Sequence, residues 1–122
     1  METKVVSFSK KGAELHRVVV GEETGLMRMR RSLRKAEQAS VKDADQDAAI
    51  LRVVIYPDCI SSVVDWGTFA GPITYEQFAD LPGKFVDDWA AAAWELNPDW
   101  QVQVPETEEE KVAKAEEIEK KL

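Results

Sequence analysis

The sequence predicts a mainly α-helical small domain that opens with a short β-hairpin and closes with a charged C-terminal helix. Three observations carry this prediction. Two β-branched runs near the start flank a turn sequence, the apolar spacing becomes helical from Thr24, and capping signals precede the later apolar runs. The expected layout is one globular domain over residues 1–104, with the hairpin at about 4–20 and helices at about 24–100, and then a charged helical tail over 105–122.

The hairpin is read from Lys4–Phe8 and Glu14–Val20, separated by Ser9-Lys10-Lys11-Gly12. Leu26, Met29, Leu33 and Ala36 then recur at helical spacing, with Arg28, Arg30, Arg31, Arg34 and Lys35 around the remaining surface. This predicts an amphipathic helix with a basic outer side. Ser40 followed by Asp43 can cap a second helix through Ala48, Ala49, Ile50, Leu51, Val53 and Val54, the expected central core helix. Pro57 lacks an amide hydrogen, so the helix kinks there or restarts, and residues 58–64 are expected to continue as a short helix.

Gly67 and Gly71-Pro72 mark a loop, after which Thr74 and Gln77 form a capping box for a helix carrying Tyr75, Phe78 and Leu81. Pro82-Gly83 interrupts the chain, and Phe85, Val86, Trp89, Ala92, Ala93 and Leu96 line one face of the next helix. Trp94 falls between its two faces, and Trp100 follows Pro98. Thr107 and Glu110 open the tail helix, in which Val112, Ala115, Ile118 and Leu122 form a narrow apolar stripe among Glu and Lys pairs spaced four apart.

Apolar residues make up 44% of the 122-residue chain and charged residues 32%, which fits a single solvated globular core. The longest apolar runs, such as Val53–Tyr56 and Trp89–Trp94, are far below the ~20 residues of a membrane span. The first residues, METKVVSFSKKG, lack the apolar core of a secretory signal, so a cytoplasmic location is expected. The net charge of −7 is unevenly placed. Residues 1–35 hold nine Lys/Arg against four Asp/Glu, 36–105 three against twelve, and 106–122 four against seven. Such a chain can steer a charged partner or associate with itself, while its overall sign argues against nucleic acid as the main ligand.

No arrangement reads as catalytic, and no cofactor or metal is expected. Cys59 is the single cysteine, with no cation beside it and Asp58 before it, which points to an inert thiol. Asp43, Asp45 and Asp47 start like a calcium loop, but Ala48 and Val54 stand where Gly and Glu are needed. Glu76 with Asp80, and Asp87 with Asp88, read as solvated helix faces rather than acid/base pairs, and His16 has no Ser or Cys partner nearby in sequence.

The candidate partner-binding residues are therefore aromatic: Tyr75, Phe78, Phe85, Trp89, Trp94 and Trp100. Core packing is the readier account of Phe78, Phe85 and Trp89, whereas core and partner contact are evenly matched for Trp94 and Trp100. Arg28, Arg30, Arg31 and Arg34 are candidates for electrostatic contact.

Over residues 20–100, three features resemble the tail assembly chaperones of long-tailed bacteriophages and prophages. These are the Thr-Gly-Leu-x-x-Met-Arg helix at Thr24–Arg30, the apolar helix ending in Tyr56-Pro57-Asp58, and Ile73-Thr74-Tyr75-Glu76-Gln77-Phe78 leading through Leu81-Pro82 to Glu95-Leu96-Asn97-Pro98. The resemblance implies a non-catalytic protein of the host cytoplasm that coats the tape measure protein, keeps it soluble, and leaves as tail tube protein polymerises. The assignment is physically coherent, because amphipathic partner helices can lie in a groove floored by Phe85, Trp89 and Trp94. Such families often make a longer product by ribosomal frameshifting. The competing readings are a head-tail connector or other tail component of the virion, and a small regulatory module using the basic helix.

Overall fold

A computed structural model of the chain describes residues 1–42 and 45–100. Asp43 and the expected tail helix over 105–122 lie outside the described residues. The hairpin forms as strands β1 (Thr3–Lys10) and β2 (Ala13–Gly21), which pair antiparallel with Lys10 opposite Ala13. Two residues connect the strands, and Lys11 (φ 53°) and Gly12 (φ 79°) both take the positive φ that such a tight hairpin turn demands. A bulge between Phe8 and Ser9 shifts the register near the turn.

Helix α1 (Gly25–Ala39) begins at Thr24, whose side chain accepts a hydrogen bond from the Met27 amide. Ser40 closes α1 instead of opening the next helix, and Asp45 caps α2 (Gln46–Ile50) by accepting from the Asp47 amide. From α2 the chain passes through a π-helical turn (Leu51–Ile55) directly into α3 (Tyr56–Ser61). The wide turn comes just before Pro57, where an ordinary helix would meet the proline ring and a missing donor. The fully buried helix is thus α3 rather than the Ala48–Val54 stretch, whose side chains are only half-buried.

The mainly α prediction is corrected at residues 58–64, which do not stay helical: α3 ends at Ser61, and Val63–Asp65 forms strand β3 against β2. The sheet is three-stranded and antiparallel in the order β1-β2-β3, which makes the domain α+β. β3 runs Val-Val-Asp, and its β-branched side chains fit a pleated surface better than a helix. Helix α4 (Tyr75–Ala79) carries both halves of the Thr74–Gln77 capping box, and α5 (Gly83–Leu96) begins after Pro82. A 3-10 turn at Pro98–Trp100 ends the described chain.

Helix α5 lies across β1 and β2, α3 packs beside α5, and α1 lies against α3. The core sits between sheet and helices, joining Val6, Val18 and Val20 to Tyr56, Ile60, Phe78, Phe85 and Trp89. The Trp89 ring meets Phe78 and Phe85 at centroid distances of 5.4 and 5.6 Å, while its Nε1 donates to the Cys59 carbonyl at 3.1 Å.

Candidate interaction surface

A single acid organises the back of α1. Asp58 stands in an apolar segment of α3 and is fully buried. Its Oδ1 accepts from Arg31 Nε at 2.6 Å and lies 3.4 Å from Lys35 Nζ, and its Oδ2 accepts from Trp94 Nε1 at 2.9 Å. A buried carboxylate is costly unless it is paired and hydrogen-bonded, and here both oxygens are engaged. Arg31 also reaches the Trp100 carbonyl at 3.3 Å and lies 4.9 Å from the centroid of that ring. Trp100 Nε1 in turn donates to Glu23 Oε2 at 2.8 Å, and Glu23 Oε1 holds Arg28 Nε at 2.5 Å. The hydrogen bond from Arg28 lowers the Glu23 carboxyl below its usual range against the opposing pull of burial, and Trp100 and Arg31 act in the same downward direction.

This network turns α1 around. The sequence placed Leu26, Met29, Leu33 and Ala36 on the buried face and the basic residues outside. Instead Met27, Arg31 and Lys35 face α3, and Leu26, Met29 and Leu33 are 50%, 55% and 64% exposed. The physical reason is Asp58: without cations from α1 its charge would be stranded in the core. The outcome is an apolar stripe in solvent beside Arg30 and Arg34, which make no hydrogen bond or ion pair among the described residues. A shallow hollow of about 200 Å³ opens between Arg30, Leu33, Arg34 and Glu37.

The aromatic candidates scatter. Phe78, Phe85 and Trp89 are fully enclosed, Trp100 is buried under Arg31, and Trp94 is half-buried on Asp58, so these five brace the fold. The expected groove floored by Phe85, Trp89 and Trp94 is therefore filled by the protein's own core. Tyr75 is half-buried, donates to the Ala48 carbonyl at 3.4 Å, and lies beneath Arg52 with the guanidinium 3.9 Å from its ring centroid. It borders a hollow of about 450 Å³ with Glu37, Gln38, Arg52 and Glu76. Of the electrostatic candidates, Arg28 and Arg30 are exposed, Arg34 is half-buried, and Arg31 is committed to Asp58.

Sequence reasoning took Asp58 only as the acid before Cys59 and the end of an apolar helix; the signal of its buried role was a lone acid between Val53–Tyr56 and Cys59–Ile60. The Cys59 thiol is enclosed, and burial, with Asp58 adding to it, pushes its pKa well above the usual range. Among the described residues no group of His, Cys, Asp and Glu could hold a metal ion, and no helix is long and apolar enough to cross a membrane. The chain matches no protein-family model, no curated protein and no solved structure.

Proposed function

We propose that this chain is a non-catalytic binding domain of the tail assembly chaperone type, which holds the tape measure protein soluble in the host cytoplasm and leaves as tail tube protein assembles around it. The observation that supports the reading is the exposed Leu26–Met29–Leu33 stripe, two of whose members belong to the Thr24–Arg30 segment that carries the resemblance. Exposed large apolar side chains aligned on one helix face are a seat for another protein more than a feature of a solitary domain. Three side chains make a modest contact, so retention on a long partner comes from many copies, each of which can dissociate. The net charge of −7 keeps such a coat from coalescing. A permanent virion connector would need a larger and more apolar contact than this stripe provides.

Co-expression with the tape measure protein tests the proposal. The partner is expected to become soluble and to co-purify with this chain, which is expected to be absent from finished particles. Absence of association, or retention of this chain in the particles, would overturn it.

A further inference from the structure

We infer that the outward face of α1 is the seat for one kind of partner segment: an amphipathic helix of another protein whose apolar edge is bordered by Asp and Glu. The inference rests on the reading of α1 as a partner surface and adds the chemistry of what binds there.

Side chains four apart on a helix stand in rows, and the outer side of α1 presents three of them. Met29, Leu33 and Glu37 form the middle row. Leu26, Arg30 and Arg34 lie on one side of it, and Arg28, Ser32 and Ala36 on the other. The stripe is thus apolar at Met29 and Leu33, ends at Glu37, and is edged by guanidinium groups. The two edges differ. Arg28 is already held by Glu23, whereas Arg30 and Arg34 have no hydrogen-bonding or ionic partner among the described residues.

An apolar helix laid on Leu26, Met29 and Leu33 would bring its own border residues over Arg30 and Arg34. There a carboxylate meets the planar, forked donor set that guanidinium offers, and a Lys or Arg meets like charge. The hollow bounded by Arg30, Leu33, Arg34 and Glu37 can take the end of one aliphatic side chain from that helix. A nucleic-acid backbone would also satisfy the arginines, but it would leave the apolar centre of the patch without a partner. The acidic stretch over residues 36–105 adds a selective element. It repels an acidic helix elsewhere on the chain, so attraction is concentrated on α1.

The test uses the full chain and two synthetic amphipathic helices with identical apolar positions, one bordered by Glu and the other by Lys, with binding followed by fluorescence anisotropy. The Glu-bordered helix is expected to bind at least about tenfold more tightly, a preference that shrinks as salt rises. Leu33→Asp is expected to remove most of that binding, and the double variant R30E/R34E is expected to reverse the preference. Leu33 and Arg30 are exposed and Arg34 is half-buried, and unchanged helical circular dichroism verifies that the variants are folded.

Equal binding of the two helices, or a preference untouched by R30E/R34E, would overturn the inference. So would a dimer dissolved by Leu33→Asp, which gives the face to a second copy, or tighter binding in V112D/I118D, which gives it to the chain's own 105–122 segment. The two claims fail separately. A tape measure protein held soluble without any charge preference between the helices sinks only the inference, and the expected preference beside an insoluble tape measure protein sinks only the proposed function.

Discussion

Arg31 and Asp58 meet at 2.6 Å across the interface between α1 and α3, and this ion pair turns the Arg31 side of α1 toward α3 and away from water. Removing Asp58 would leave Arg31 and Lys35 partly buried with no counter-charge. Loss of one member of a buried pair costs about 3–5 kcal/mol, a large part of the ~5–15 kcal/mol that holds a typical domain together. Asp58→Ala is therefore expected to lower the urea midpoint strongly, and Asp58→Asn, which keeps an acceptor near Trp94, to lower it less. Equal midpoints for Asp58→Ala and the parent chain would show that the pair contributes nothing net.

Trp94 and Trp100 support that pair in different ways, so their variants should separate. Trp94→Phe keeps most of the ring but loses the hydrogen bond to Asp58 Oδ2, a charged contact of about 1.5–3 kcal/mol. Trp100→Ala empties the space beneath Arg31 and leaves Glu23 without one of its donors, for an expected loss of about 3–5 kcal/mol. Thermal unfolding of the two variants measures both. An unchanged melting midpoint in Trp100→Ala would mark Trp100 as a surface contact.

The hairpin, the Thr74–Gln77 capping box and the break at Pro82-Gly83 were legible because each depends on residues within a few positions of one another. β3 was not, because three residues hold too little periodicity to reveal a strand and its pairing partner, Val19–Val20, lies more than forty positions earlier. The orientation of α1 was concealed for a similar reason. Its apolar spacing identified a helix and its stripe correctly, yet which face turned inward depended on Asp58 and Trp100, distant in sequence. The aromatic cluster was ambiguous, since an unusual density of Trp near Trp89–Trp100 reads alike whether the rings floor a groove or fill a core; core packing was the readier account for Phe78, Phe85 and Trp89, and burial settles Trp100 inward as well.

Glu23 gives the fold a defined acid dependence. Its carboxyl titrates lower in the folded protein than the ~4.3 of a free glutamate, because the folded state holds it charged against Arg28 and Trp100. A lowered carboxyl pKa means that the unfolded chain binds the proton first. The stabilisation is present above the unfolded value and is lost as pH falls through the folded one. Comparing Glu23→Gln with the parent chain by denaturant unfolding from neutral pH downward isolates this contribution. The difference in stability is expected to be constant near neutrality and to shrink only below about pH 4.3. A difference that shrinks while pH is still near 6 would rule out Glu23 as its source.

The loop after β3 is fixed by a close approach that only glycine permits. Gly67 has φ 55°, and a Cβ there would stand 2.2 Å from the Arg17 carbonyl oxygen, a backbone atom that cannot turn aside. The same carbonyl accepts from the Thr68 amide at 3.1 Å, while the Arg17 amide donates to Thr68 Oγ1 at 2.9 Å, so loop and β2 are joined in both directions. Gly67→Ala must take on left-handed strain of about 1–2 kcal/mol and also push the loop away from β2. Its total cost is expected to exceed about 2 kcal/mol, with faster hydrogen exchange at the Arg17 and Thr68 amides. Gly71→Ala is the control, because its φ is not positive and a Cβ there meets nothing within 4 Å. That change is expected to be neutral or to stabilise by up to about 1 kcal/mol through the unfolded chain. Equal melting midpoints for the two variants would mean that the contact with Arg17 does not hold the loop.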